Sequence, residues 1–173
     1  VPITVDTSGN NQIEIIPQKA SMGYLNGYSD PDYIESLQTI SLPFLRNGKF
    51  RAFPASGDSM PPYKDVGTYI VGKYVENLAD LKTDKTYIFI TINDGIIYKR
   101  FQFHEGNFLC VKSDNTFYEL QKIPLLEIKE IWEFACSINT YEFDAEEFSG
   151  QNIKGLFLEL KQEIKEIYRK LSR

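Results

Sequence analysis

Between Ile40 and Ile138 apolar and polar residues alternate in short runs: ISLPFL, FRAFPA, TYIVGKYV, TYIFITI, GIIYKRFQF, NFLCVKS and IKEIWEFACSI. A period of two, carried by β-branched and aromatic residues, predicts strands that each lay one face on a core. Asn47-Gly48, Asn93-Asp94-Gly95 and Glu105-Gly106-Asn107 separate the runs. These residue types tolerate the left-handed backbone of tight turns, so antiparallel hairpins are expected there. No block repeats at a period of about 20 to 50 residues, which argues against a solenoid.

The two ends read differently. Residues 1–12 are polar and rich in Gly and Asn after an apolar start, as in a linker, and IEIIP then predicts a short strand ending at Pro17. The following KASMGYLNGYSDPDYIESL carries turn signals without periodicity and reads as an exposed arm. From Asp144 the pattern becomes helical. Ile153, Leu160 and Ile167 form one row and Phe157, Ile164 and Leu171 the other, which suits an amphipathic helix packed on its own domain as well as a coiled-coil seam between two copies. The expected organisation is a linker and arm over 1–39, a β domain over 40–143 and a helical extension over 144–173.

Composition narrows the function. The chain carries 19 Lys and Arg against 24 Asp and Glu, a formal net charge of −5, so this surface is expected to repel a phosphate backbone. Cys110 and Cys136 both sit in strand-like runs and read as buried reduced thiols. No apolar stretch approaches the roughly 20 residues of a membrane span, and no charged start leads into a signal run, so a cytoplasmic protein is expected. The chain opens at Val1 rather than at methionine, and an upstream portion is therefore expected.

Candidate chemistry is sparse. One histidine, His104 beside a turn, and two scattered cysteines offer no zinc-ligand spacing; no Gly-rich phosphate loop occurs, and neither metal nor cofactor is expected. A triad would have to rest on His104, which reads as a solvated turn residue. Ser59 stands in SGDSMPPYKDVG, where Gly57 permits a positive φ and Pro61 keeps Met60 out of the helical region. Such a turn presents a nucleophile, or simply a solvated loop serine. Lys99 shares its strand face with Ile97, Phe101 and Phe103, while Tyr98, Arg100 and Gln102 face the other way. Desolvation there disfavours the ammonium, and a neutral amine beside Ser59 would take its proton. Alternatively, Lys99 runs its stem along the apolar face and lifts its head to water or to a carboxylate.

The motifs SGDSM with KDVG, the pair TYIVGKYV and TYIFITI, YKRF, and LCVKSDNTFYELQKI resemble, in order and spacing, the peptidase domain of LexA, phage repressors and related mutagenesis proteins. The resemblance covers most of residues 13–140. It implies a mainly β, LexA/signal peptidase-like coiled fold of mostly antiparallel strands, to which this chain adds a C-terminal amphipathic helix. It also implies Ser59 as nucleophile, Lys99 as general base, and the backbone N–H groups of Asp58 and Ser59 as oxyanion donors, with Met60 either shaping the cleft or lying in the core.

In that family the serine cuts the protein's own upstream arm at an Ala-Gly or Cys-Gly bond. Aligned on the glycine, the bond here is Met22-Gly23, with Ala20-Ser21 a weaker candidate. The methionine departs from the pattern and would crowd a cleft built for a small side chain. The resemblance further implies an upstream helix-turn-helix domain that binds DNA, a homodimer formed by this domain, and an activated recombinase filament as candidate trigger. Two other readings stand beside it: a cleavage-impaired oligomerisation or sensor module, and a peptidase acting on other chains.

Overall fold

A computed structural model of the chain describes residues 4–5, 11–17, 27, 30–55, 67–114, 119–140, 160–161 and 164. By its contacts the chain divides into two units, Val1–Thr140 and Tyr141–Arg173.

The first unit is mainly β. Its strands are β1 (Thr4–Val5), β2 (Asn11–Ile15), β3 (Thr39–Ile40), β4 (Phe50–Pro54), β5 (Thr68–Tyr74), β6 (Thr86–Thr91), β7 (Gly95–Glu105), β8 (Phe108–Lys112), β9 (Gln121–Pro124) and β10 (Ile128–Asn139). One mixed sheet runs in the order β1-β2-β4-β5-β10-β6-β7-β8-β9, with β3 paired to β2 off that path. The β2–β4 pair is parallel, Glu14 opposite Arg51 and Ile15 opposite Ala52. The other pairs among the described residues are antiparallel.

Strand β10 joins the two halves of the sheet. Residues Ile128–Glu133 pair with β6, and Trp132–Asn139 pair with β5. Register shifts at 128/130 and 134/136 bend it, as an extra residue in one strand does. Because paired residues share a face, the apolar side chains fall into separate cores. One holds Ile16, Phe53, Ala55, Ile70, Ile88, Ile90 and Trp132, with Tyr98 of β7 packed against it. On the other face, Tyr87, Phe89, Phe101, Leu109, Val111 and Ile131 form a second core, and Ile13, Phe50, Ala52 and Val71 a third.

Several local expectations change. Asn47 does take a left-handed φ of 59°, but the turn there joins no hairpin, since β4 pairs parallel with β2. In ISLPFL only Ile40 lies in a strand; Pro43, whose nitrogen cannot join a ladder, starts a turn that leaves Phe44 69% exposed. The arm region contains a short helix, α1 (Pro31–Glu35), capped by Asp30, whose side chain accepts from the Asp32 N–H at 3.1 Å. Within residues 1–39, β2, α1 and β3 contribute to the body of the first unit, with Ile13, Glu14, Ile16 and Ile34 buried.

In the second unit Leu160, Lys161 and Ile164 are helical, and Leu160 and Ile164 are exposed. Ile153, Phe157, Ile167 and Leu171 lie outside the described residues. No helix among the described residues is long and apolar enough to cross a membrane.

Candidate functional site

Lys99 lies in the middle of β7, opposite Tyr87 of β6. Its neighbours Ile97 and Phe101 belong to the second core, as the alternation predicts. Phe103 does not follow them. A register shift between Phe101 and Phe103 leaves it 47% exposed. The opposite face of β7 is covered too, because Ile96 and Tyr98 pack against the first core.

The same shift decides what faces Lys99. At the turn Glu105 is opposite Phe108, and an unbroken ladder counted back from there would set Asp114 opposite Lys99. The bulge removes one step, so that Phe101 meets Val111 and Arg100 meets Lys112. Lys99 Nζ accordingly donates to Ser113 Oγ at 2.7 Å, and Ser113 is buried. Asp114 is turned to the guanidinium of Arg100, which grips both carboxylate oxygens at 2.6 and 2.5 Å. Arg100 is held more firmly protonated by that hydrogen bond.

Ser113 is the site residue that sequence reading missed. The signal was present in NFLCVKS, but finding it requires the bulge, which alternation alone does not reveal. Tyr87 completes the row across the strands. It is fully buried, its hydroxyl accepts from the Lys82 N–H at 2.9 Å, and burial pushes its phenol up.

Ser59, Asp58 and Met60 lie outside the described residues, as do Met22, Gly23, Ala20 and Ser21. The strands that lead to them are described. β2 and β4 run parallel, the Ile16 N–H donates to Ala52 O at 2.9 Å, and the Ala55 N–H donates to Thr68 O at 2.9 Å. The chain therefore enters 18–26 and 56–66 from neighbouring strands that point the same way. Ile16 and Ala55 share one core, and Tyr98, the residue before Lys99, packs against it.

His104 is exposed on β7 opposite Leu109. Both cysteines are free, Cys110 buried and Cys136 half-buried, and burial pushes both thiols up. A cavity of about 1370 Å³ opens between the β3–β4 and β5–β6 connections, rimmed by Arg46, Lys49, Lys73 and Glu76; neither Lys99 nor Ser113 lines it.

A second buried polar group was also missed by sequence reading. Arg51 of β4 and Glu14 of β2 are both fully buried, with Nε to Oε2 at 3.3 Å. The guanidinium carbon lies 5.0 Å from the centre of the Trp132 ring, and Trp132 Nε1 donates to Glu130 Oε2 at 2.9 Å. Arg51 lies in a strand whose every residue is buried, which the alternation of FRAFP does not reveal. No protein-family model and no curated protein matches the chain.

Proposed function

We propose that the chain is the self-cleaving domain of a LexA-like or phage-type transcriptional repressor, with Ser59 as nucleophile and Lys99 as general base. The observation that carries this reading is the parallel β2–β4 pair: the two adjacent strands that precede Met22-Gly23 and Ser59 in the sequence run in one direction. Met22 is the fifth residue after Pro17 and Ser59 the fourth after Ala55. An extended chain spans at most about 3.5 Å per residue, so Met22 can lie no more than about 17 Å from Pro17, and Ser59 no more than about 14 Å from Ala55. That suits a bond cut within its own chain.

In the proposed reaction neutral Lys99 takes the Ser59 hydroxyl proton as Oγ attacks the Met22 carbonyl carbon. The N–H groups of Asp58 and Ser59 hold the developing oxyanion. Collapse breaks the Met22-Gly23 bond, Lys99 returns the proton to the Gly23 amine, and water then hydrolyses the acyl-serine. Cleavage would part an upstream helix-turn-helix domain from this dimer-forming domain and release DNA. An activated recombinase filament is the proposed trigger, and the cytoplasm the proposed compartment.

Mass spectrometry after alkaline incubation, alone and with that filament, tests the reading. The wild type is expected to break between Met22 and Gly23 faster as pH rises, and Ser59→Ala or Lys99→Ala to stay whole. An intact wild type under every condition leaves the cleavage-impaired oligomerisation module.

A further inference from the structure

We propose that the buried Glu14–Arg51 pair is a register key, a positioning device that holds β2 on β4 and so sets the rate at which the chain cuts itself. This rests on the self-cleavage reading. Both side chains are fully buried, and the guanidinium also lies against the Trp132 ring. A one-residue slip of β2 would turn Glu14 toward the face of Ile13, Phe50, Ala52 and Val71, separating two charges inside apolar surroundings. A two-residue slip would set Gln12 or Ile16 opposite Arg51, and neither is a carboxylate. Only the observed register satisfies the pair.

The pair matters because the ladder it guards is short. β2 meets β4 at Glu14 and Ile15, and the Ile16 N–H adds a bond to Ala52 O just before Pro17. The chain beyond Pro17 starts from a fixed point only while that register holds. Buried ion pairs commonly add little stability over an apolar replacement, so the role that remains for this one is registry.

The test compares the wild type with the double variant Glu14→Leu/Arg51→Met, which keeps apolar bulk and leaves no charge unpaired, and with Glu14→Gln. Hydrogen exchange is read at Ile16, whose N–H bonds across to Ala52 O, and at Val71, and self-cleavage as a function of pH. The double variant is expected to keep Val71 protected, to exchange at Ile16 at least tenfold faster, and to cleave at least tenfold more slowly by the same factor at every pH. Glu14→Gln is expected to fall between. Wild-type protection at Ile16, a wild-type cleavage rate, or a shifted pH profile overturns the proposal. If the wild type itself makes no Ser59-dependent cut, the functional reading fails, and exchange alone then decides whether the pair holds the register.

Discussion

Lys99 faces Ser113, not Asp114, because one bulge between Phe101 and Phe103 shortens the β7–β8 ladder by a step. The difference is chemical. A carboxylate at that distance would hold Lys99 as the ammonium, whereas a hydroxyl orients the amine at less electrostatic gain. Ser113→Asp is therefore expected to abolish Ser59-dependent cleavage at neutral pH and to push what remains to higher pH. Ser113→Ala removes the hydrogen bond that orients the neutral amine, worth about 0.5–1.5 kcal/mol, and should slow cleavage by about two- to tenfold. Rates from intact mass across pH, with melting temperatures beside them, check both; equal rates in all three proteins would remove Ser113 from the site.

Gly72 of β5 lies close against β10. A Cβ built there would stand 2.5 Å from Trp132 Cβ and 3.1 Å from Ile88 Cδ1, both held in a packed core. Gly72→Ala must push strand β10 away and is expected to cost about 2 kcal/mol. For a chain of this size that lowers the melting temperature by about 4–8 °C. Calorimetry reads this directly, and an unchanged melt would mean the strands separate freely.

Tyr33 of α1 packs against the first core, yet its buried hydroxyl has no hydrogen-bond partner among the described residues. Burial also pushes its phenol up. A phenylalanine keeps the ring and removes the unsatisfied group. Tyr33→Phe is thus expected to leave stability unchanged or raise it by about 1 kcal/mol, measured by urea unfolding. A loss of that size would reveal a partner for the hydroxyl.

What could be read in advance follows from what each signal encodes. Alternation found β5, β6, β7, β8 and β10 because each lays apolar residues on at least one core face, and that requires no knowledge of neighbours. It missed α1, where Asp30-Pro31 reads equally as a turn and as a helix cap with proline at the first helical position. β9 was missed because QKIP is short and ends in proline. Register was out of reach. The parallel β2–β4 pair, the bulge that selects Ser113 and the burial of Arg51 against Glu14 all depend on which strands meet, a long-range choice that a local pattern does not specify. Lys99 was legible as a lysine between apolar neighbours, but its contact with Ser113 was not.

The hairpin end beyond the bulge carries its own pH dependence. Lys122 Nζ lies 2.7 Å from Glu105 Oε2, and that hydrogen bond, with the accompanying charge attraction, lowers the Glu105 carboxyl below its usual value and raises Lys122 above its own. A carboxylate with a depressed folded value stabilises the fold above its unfolded value, here 4.5, and the contribution is lost as pH falls through the folded one. For Lys122 the sign reverses: its contribution is complete below 10.5 and is lost as pH rises through its elevated folded value. Both groups are exposed, so the effect on global stability is small and screened by salt. The site-specific measurement is an NMR titration of the Glu105 carboxyl carbon. Lys122→Met should return its midpoint upward toward the ordinary glutamate range, and added salt should move the wild-type midpoint the same way. A midpoint unaffected by either would mean that this pair does not form in solution.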